Sequence, residues 1–237
     1  MQKNLFFIIF IFFMNDSLFQ EKYTNEQLVG KSDAQLVGLG YKLQKEVKES
    51  FELMWADAVR SGIDLKIVSS YRSFKRQEQI WTKKYNRFTS EGMSPEEAIN
   101  KIIEYSTIPG TSRHHWGTDI DIIDGGEPQP LSVLEEKHFV EGGVYFKLKK
   151  WMDEHANTYG FYLVYTDDEN RKGFKYEPWH YSYKPISKEM LAQYQKIDIQ
   201  ELLKKDKLVG SDFFTNQFIS DYVNQNILDI NPVLKSK

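Results

Sequence analysis

The chain has 237 residues, which is enough for one domain of ordinary size with a substantial hydrophobic core. Hydrophobic residues make up 41% of the sequence and aromatic residues 15%, so a disordered protein is excluded. The formal net charge of −3 excludes the strongly basic surface typical of nucleic-acid-binding proteins, and the absence of cysteine excludes disulfides, thiolate nucleophiles and thiolate metal sites. Any transition-metal site must therefore be built from His, Asp and Glu.

The N-terminus carries a strongly apolar segment. One lysine precedes an uninterrupted apolar run at residues 5–14, and polar residues follow it. A run of this length is too short to span a bilayer but suits the hydrophobic region of a secretory signal. We therefore expect residues 1–20 to be a signal peptide and the protein to be exported to the periplasm or the cell surface, with a buried N-terminal helix or strand as the alternative. No transmembrane span is expected in the mature chain.

Hydrophobic periodicity predicts the next elements. Apolar residues recur at three- and four-residue steps over residues 41–61, which predicts a helix, and Gly62 suits its end. Residues 65–71 ("LKIVSSY") are typical of a strand, and a second helix is expected over residues 73–88.

Capping residues and the alternation of apolar and polar residues predict the helices and strands after residue 90. The segment 94–97 ("SPEE") combines a Ser cap, a Pro in the first turn and a Glu three residues after the Ser, which predicts the start of a short helix. Residues 118–123 ("TDIDII") are typical of a strand, and residues 144–158 of a helix. Residues 161–166 and 174–183 predict an antiparallel hairpin.

From Ile186 onward the sequence consists of amphipathic segments rich in Lys, Asp and Gln, which predict helices without visible chemistry. Helices followed by separated short strands are typical of an α+β fold. After the signal peptide, we divide the chain into a main domain at residues 21–185 and a helical C-terminal extension at residues 186–237.

The stretch 112–121 ("SRHHWGTDID") places two of the chain's five histidines next to two aspartates. On a strand over residues 118–123, Asp119 and Asp121 share one face, and His114 lies in the loop that leads into the strand. His114 and Asp121 are therefore two of the three ligands that a His₂–carboxylate zinc site needs. Taken alone, this spacing also occurs by chance, and a polar loop is the alternative.

The segment "EPWHYSY" supplies a third candidate ligand, His180, with Glu177 three residues before it. On a regular strand these two side chains point to opposite faces, but Pro178 favours a bulge or an edge position that would aim both into one cleft. Zinc with three protein ligands keeps a position open for water, which a nearby carboxylate can deprotonate. Taken alone, a solvated Glu177 and a half-buried His180 are the simpler interpretation.

A third segment, "SSYRSFKRQ", carries Arg72 at a strand-to-helix junction. The forked guanidinium of an arginine at such a junction can pair with a substrate carboxylate or with a developing oxyanion. Without further context, a surface charge is the simpler interpretation of Arg72.

Together and in this order, the three segments resemble the signature of the VanY-type D-alanyl-D-alanine carboxypeptidases. The matching residues are Ser69, Ser70, Tyr71, Arg72, Ser73 and Gln77, then Ser112, Arg113, His114, Gly117 and Asp121, then Glu177, Pro178, Trp179 and His180. The resemblance covers roughly residues 40–185. It implies the fold of a zinc peptidase group that includes the VanX-type dipeptidases and is related to the Hedgehog signalling domain: a small antiparallel sheet with flanking helices.

The resemblance also implies the site. It implies one Zn²⁺ per chain, with His114, Asp121 and His180 as ligands. Glu177 is then the general base and acid, and Arg72 stabilises the oxyanion or holds the substrate. In the same way, the resemblance implies that Gln77 and Ser112 contact the substrate or support the residues around it.

Two polar residues near the expected ligands have no role that the resemblance implies. Asp119 stands where the family commonly has a small residue. It is a partner of a metal ligand, a contact to a substrate amine or an exposed side chain, and the first two are favoured over metal ligation. His115 either supports the site or faces the substrate, or it is an exposed loop histidine.

The implied substrate is a peptidoglycan stem peptide, from which the enzyme releases the terminal D-Ala. A D-Ala-D-Ala dipeptidase and a peptidoglycan endopeptidase are alternatives, and the motifs do not separate D,D from L,D bonds. The alternative from another class is a non-catalytic zinc module that binds the cell wall. The presence of both Glu177 and Arg72 favours the enzyme. The sequence does not indicate an oligomeric state.

Overall fold

The structure is a computed structural model, and it describes residues 22–32 and 35–236. The expected signal peptide at residues 1–20 lies outside the described residues. Among the helices of the described ranges, none has both the length and the apolar character that a membrane span requires.

In the described part of the chain, α-helices flank one four-stranded sheet. The helices are α1 Asn25–Leu28, α2 Lys45–Arg60, α3 Phe74–Ser90, α4 Pro95–Ile102, α5 Phe146–His155, α6 Lys184–Tyr194, α7 Ile199–Asp206 and α8 Asn216–Tyr222. The strands are β1 Leu65–Ser69, β2 Asp119–Asp124, β3 Phe161–Leu163 and β4 His180–Tyr183. This architecture confirms the α+β fold expected from the sequence.

The helix boundaries follow the caps that the sequence carries. The hydroxyl of Ser73 caps α3 by accepting the N–H of Arg76. Ser94 and Glu97 form a reciprocal capping box at the start of α4, as the segment "SPEE" predicts. Gly62, which follows α2, has a φ of +72°, a conformation that glycine adopts without strain.

The sheet has the strand order β1-β2-β4-β3, and all neighbouring strands are antiparallel. Across these strands, Asp121 is paired with Ser69 on one side and with His180 on the other. Ile120 is paired with Tyr181, and both are buried. Because directly paired residues of an antiparallel sheet lie on the same face, one face carries a polar row and the other contributes to the hydrophobic core.

The hairpin strands are shorter than the sequence predicts. β3 and β4 are antiparallel neighbours as expected, but β3 ends at Leu163 and β4 begins only at His180. A tight turn precedes β4, in which the N–H of His180 donates to the carbonyl of Glu177 at 3.1 Å, with Pro178 between them. Since proline fixes its φ and has no N–H to donate, the prediction of a continuous strand over residues 174–183 is wrong.

The C-terminal segment packs into the same core as the sheet. Tyr222 is 2% exposed, and its hydroxyl accepts the N–H of Ile108 at 3.0 Å. The N–H of Asn231 donates to the carbonyl of Val164, just beyond β3, at 2.9 Å. We therefore propose that the extension at residues 186–237 is an integral part of the main domain's fold.

Candidate metal centre and catalytic cleft

Two strands and one short helix bring the three candidate metal ligands together. Asp121 on β2 and His180 on β4 stand opposite each other in the sheet, and His114 lies in a single-turn 3₁₀ helix that leads into β2. Gly117 ends this helix with a φ of +66°. A Cβ atom at Gly117 would lie 2.6 Å from Cδ2 of Leu36, the end of a flexible side chain, so the positive φ is the stronger reason for glycine at this position.

The ligand atoms form a compact cluster. One nitrogen or oxygen atom from each of His114, Asp121 and His180 lies within 4.8 Å of the others. Nδ1 of His114 donates to the carbonyl of Ser70 at 2.8 Å, and Nε2 is 3.4 Å from Oδ2 of Asp121. Because a carbonyl can only accept, this bond fixes the proton on Nδ1 and directs the Nε2 lone pair into the cluster.

Both ring nitrogens of His180 face carboxylates. Nε2 is 3.0 Å from Oδ2 of Asp119, whereas Nδ1 is 2.9 Å from Oε2 of Glu177 and 3.7 Å from Oδ1 of Asp121. Burial lowers the pKa of His180, but the hydrogen bonds to Asp119 and Glu177 outweigh it and raise the pKa to about 10. The carboxylates therefore create a negative potential around the ring that favours a bound cation.

The donor atoms of this cluster fit a divalent metal ion. Asp121 is 4% exposed, and its Oδ1 has no hydrogen-bond partner among the described residues. A metal ion would satisfy this oxygen, which is otherwise costly to bury. Burial raises the pKa of Asp121, but its neighbours His114, His180 and Arg72 lower it to about 2, so the carboxylate is ionised at neutral pH. Two imidazoles and one carboxylate are a donor set that suits zinc.

Asp119 holds His180 from the Nε2 side of its ring. Its carboxylate, which is fully buried, accepts hydrogen bonds from Nε of Arg113 at 2.9 Å, Nε2 of His180 at 3.0 Å, Oγ1 of Thr118 at 2.8 Å and Oγ of Ser182 at 2.7 Å. Burial raises the pKa of Asp119, but Arg113 and His180 lower it to well below its usual range. An ionised carboxylate at this position orients the imidazole and keeps a proton on Nε2, so that Nδ1 is the nitrogen available to a metal.

Arg113 is a residue of the site that the sequence analysis did not assign. It is 4% exposed, pairs with Asp119 and also donates to Oγ of Ser182 at 2.7 Å. An arginine is almost never fully buried without such a partner. Two features of the sequence could have indicated this role. Arg113 stands next to the candidate ligand His114, and Asp119 is a nearby carboxylate that the family motif does not use.

Glu177 lies beside the ligand cluster because of the turn at Pro178. Its carboxylate is 7% exposed, and Oε2 is 2.9 Å from Nδ1 of His180. Burial raises the pKa of Glu177 above its ordinary value, although the bond to His180 opposes this effect. A carboxyl group in this position can exchange a proton with a water molecule bound at the cluster.

Arg72 lies at the junction between β1 and α3 and is fixed by two neutral groups. Nη1 donates to Oε1 of Gln77 at 2.7 Å, and Nη2 donates to Oγ of Ser69 at 3.0 Å. Gln77 is fully buried, and its amide donates to the carbonyl of Thr107 at 2.8 Å. The structure therefore places Gln77 behind Arg72, where it orients the guanidinium.

One cavity of about 580 Å³ contains the other predicted site residues. The residues of its wall that the sequence singled out are Arg72, Ser112, His114, Asp121, Glu177 and His180. Tyr165 and Trp179 add aromatic surface to the wall. The cleft thus combines the ligand cluster, a buried carboxyl group and a cation within one space large enough for a peptide end.

His115 points away from this cavity and joins two backbone segments. It is 1% exposed, its Nδ1 donates to the carbonyl of Arg72, and its Nε2 accepts the N–H of Gly110 at 3.1 Å. Burial lowers the pKa of His115 to about 3, so the ring is neutral. The interpretation of His115 as an exposed loop residue is therefore wrong.

Comparison with known proteins identifies relatives of this chain. Residues 40–186 match the model of a family described as "VanY: D-alanyl-D-alanine carboxypeptidase". An uncharacterized protein of Haemophilus influenzae is 31% identical over 121 residues, which are 49% of this chain and 92% of that protein. A D-alanyl-D-alanine carboxypeptidase of Enterococcus faecalis is 28% identical over 153 residues, covering 64% of this chain. The match spans about half, 52%, of that carboxypeptidase.

Two solved structures share the fold. VanYB in complex with D-alanine-D-alanine superimposes with a TM-score of 0.54 and 23% identity, covering 75% of this chain and 92% of that one. A variant of the vancomycin-resistance D,D-pentapeptidase VanY in complex with Zn(II) has a TM-score of 0.53 and 23% identity, covering 72% and 90%. These similarities confirm the fold class.

Proposed function

The chain belongs to the VanY family of D-alanyl-D-alanine carboxypeptidases, and on this premise we propose that it is an exported zinc peptidase that releases the terminal D-Ala from peptidoglycan stem peptides. The observation that carries the proposal is the single cavity in which the His–Asp–His cluster, Glu177 and Arg72 meet. The names of two relatives support the substrate, since one is a D-alanyl-D-alanine carboxypeptidase and VanYB was solved with D-alanine-D-alanine. The apolar N-terminal run supports export, because peptidoglycan lies outside the cytoplasmic membrane.

We assign His114, Asp121 and His180 as the ligands of one zinc ion per chain. The hydrogen bonds to Ser70 and Asp119 leave Nε2 of His114 and Nδ1 of His180 as the nitrogen donors, and Asp121 contributes an oxygen. The Zn(II) complex of the VanY relative supports the identity of the metal. When bound, zinc polarises the scissile carbonyl and lowers the pKa of water towards about 7.

The protein's own groups move the proton and hold the charge. Glu177 accepts a proton from the attacking water and passes it to the leaving amine as the C–N bond breaks. Arg72, oriented by Gln77 and Ser69, stabilises the negative charge that develops on the carbonyl oxygen. Ser112, in the wall of the cavity, contacts the substrate, whereas Gln77 acts on the substrate through Arg72.

Two of the alternative functions are also peptidases, and the third is not an enzyme. A D-Ala-D-Ala dipeptidase or a peptidoglycan endopeptidase would use the same residues on another substrate. A non-catalytic zinc module that binds the cell wall has no need of a buried general base. The position of Glu177, 2.9 Å from a candidate zinc ligand and in the wall of the cavity, favours the enzyme.

A substrate panel tests this function. The purified protein, loaded with zinc, is incubated with a stem pentapeptide, a stem tetrapeptide, free D-Ala-D-Ala and a cross-linked stem dimer. We expect release of D-Ala from the pentapeptide, its loss after chelation and its recovery with added zinc. Preferential cleavage of the tetrapeptide would indicate an L,D-enzyme, and cleavage of only the dipeptide or the dimer would indicate one of the alternative peptidases. Cleavage of none of them would contradict an enzymatic function.

A further inference from the structure

Helix α3 carries a lysine on the face that is otherwise buried. Gln77, Trp81 and Phe88 are the buried residues of this helix, and Lys84 lies in the same row at helical spacing. Lys84 is half-buried and lines the cavity that contains the ligand cluster, whereas the adjacent Lys83 is exposed. A lysine at such a position is unusual, because this residue type normally remains in solvent unless its charge is paired.

The ammonium group of Lys84 forms no ion pair with a described residue, and the negative charge of Glu177 acts on it only at longer range. It makes no hydrogen bond or ion pair of standard length with any described residue. Two other cations in the wall of the cavity are paired with carboxylates: Arg113 bonds Asp119, and Lys137 contacts Glu135. Lys84 is therefore a cation that faces the cavity and is available to a ligand.

A second cation lies on the same wall. Arg72 also lines the cavity, and its side chain donates hydrogen bonds to the neutral groups of Gln77 and Ser69. Burial lowers the pKa of Lys84, the positive charges of Arg72 and Arg87 lower it further, and the negative charge of Glu177 only partly opposes them. An anion bound in the cavity would offset both effects, because it stabilises the charged form of the lysine.

Arg72 and Lys84 line the same cavity, and the geometry of α3 directs Lys84 towards Arg72. Lys84 is seven residues beyond Gln77, which is about 10 Å along the axis of α3. Side chains on a helix tilt towards its N-terminus, so the flexible stem of Lys84 extends back towards Gln77 and the guanidinium of Arg72 that Gln77 holds. In a peptide, the terminal carboxylate follows the scissile carbonyl by one residue, roughly 3.5 Å. If Arg72 binds the scissile carbonyl, Lys84 is the cation that remains to bind the terminal carboxylate.

We propose that Lys84 binds the free C-terminal carboxylate of the peptide substrate and so selects peptides that end in the cleft. This inference rests on the proposed function, because it assumes that the cleaved bond is the last one of the chain. It separates the roles of the two cations: Arg72 serves the reacting carbonyl, and Lys84 recognises the chain end.

The test compares hydrolysis of two substrates that differ only at the terminus. N-acetyl-L-Lys-D-Ala-D-Ala and its C-terminal amide are given to the wild-type enzyme, to Lys84→Met, to Lys84→Arg and to the control Lys83→Met. In Lys84→Met we expect the ratio of kcat/KM for the acid to kcat/KM for the amide to fall by roughly 10- to 100-fold, because a charge-assisted hydrogen bond to the carboxylate is lost. The change should appear as a higher KM for the acid. Lys84→Arg keeps most of the ratio, and Lys83→Met keeps the wild-type ratio.

A binding measurement separates this inference from the proposed function. Glu177→Gln with and without Lys84→Met is titrated with N-acetyl-D-Ala-D-Ala and with its amide by calorimetry. Weaker binding of the acid alone on loss of Lys84 supports the inference even if no peptide is hydrolysed. An equal loss for acid and amide, an unchanged ratio in Lys84→Met, or no binding of the acid to the parent protein each overturns it.

Discussion

The side chains around His180 show which atoms are left to bind a ligand. The hydrogen bonds to Ser70 and Asp119 occupy one nitrogen of each candidate histidine; of the remaining nitrogens, Nε2 of His114 faces Asp121, and Nδ1 of His180 faces both Glu177 and Asp121. Asp121 in turn keeps one buried oxygen without a partner among the described residues. Because buried polar atoms are normally satisfied, this pattern indicates a site that is completed by a bound cation.

Asp119→Asn tests the orientation of His180. The substitution removes the charge that pairs with Arg113 and weakens the acceptor for Nε2 of His180, so we expect zinc affinity to fall about 10- to 100-fold. Competition with a chromophoric zinc chelator measures the change. The control is Asp124→Asn, at the far end of the same strand, where the carboxylate accepts backbone N–H groups instead. Equal affinities of the two variants would contradict the role of Asp119.

Glu177→Gln tests the general base. The amide has nearly the same shape but cannot accept the proton of the attacking water, so we expect kcat to fall on the order of 10²- to 10⁴-fold while zinc is retained. The comparison is with Glu136→Gln, an exposed carboxylate in the wall of the same cavity, which should keep activity close to wild type. Turnover by Glu177→Gln near the wild-type rate would show that another group is the base.

The elements position these residues through short turns. The 3₁₀ helix before β2 carries His114, and the turn at Pro178 brings Glu177 beside His180. The junction between β1 and α3 carries Arg72, whose carbonyl accepts from His115. His114, Glu177 and Arg72 therefore depend on connections between elements, whereas Asp121 and His180 lie on paired strands of the sheet.

His115→Ala tests the link that His115 makes between the backbone at Arg72 and the backbone at Gly110. The substitution leaves the carbonyl of Arg72 and the N–H of Gly110 without their buried partner, so we expect the free energy of unfolding to fall by about 2 to 4 kcal/mol. Urea unfolding followed by tryptophan fluorescence measures the change. His155→Ala, at a half-buried histidine of α5, is the control and should cost clearly less. Similar losses in the two variants would argue against the link.

On the scale of the whole molecule, the C-terminal extension completes the core under the cleft. The hydroxyl of Tyr222 contacts Thr111 at 2.8 Å and accepts the N–H of Ile108, in the segment that leads to the first ligand. The carbonyl of Val209 accepts from the indole of Trp81 on α3 at 2.9 Å. The extension therefore contacts both α3 and the segment that leads to His114.

Tyr222→Phe tests this support. Removal of the hydroxyl leaves the buried N–H of Ile108 without an acceptor, and we expect a loss of about 1 to 3 kcal/mol in the free energy of unfolding. Chemical denaturation gives the value, with Tyr85→Phe as the control because the Tyr85 hydroxyl forms no hydrogen bond with a described residue. If Tyr222→Phe were as stable as the control, the extension would be less closely tied to the domain than we propose.

Much of the candidate site was predictable because histidine is rare in this chain, which has five histidines and no cysteine. His114 and His180 therefore stand out by residue type, whereas Asp121 and Glu177, two of 34 acidic residues, are identified by their place in a family pattern. Asp119 was uncertain because strand alternation shows which face a residue occupies but not its partners. The partner was a buried arginine six residues away, and sequence spacing does not show such pairings.

The sequence by itself determined the α+β class, most helix and strand positions, the family and the candidate ligands, because periodicity, caps and rare residue types are local properties. Only the tertiary structure decided that His115 is a buried link, that Gln77 acts behind Arg72 and that Lys84 faces the cavity without a partner. Burial and pairing depend on residues far apart in the chain, which meet only when the sheet, the turns and the C-terminal helices pack together.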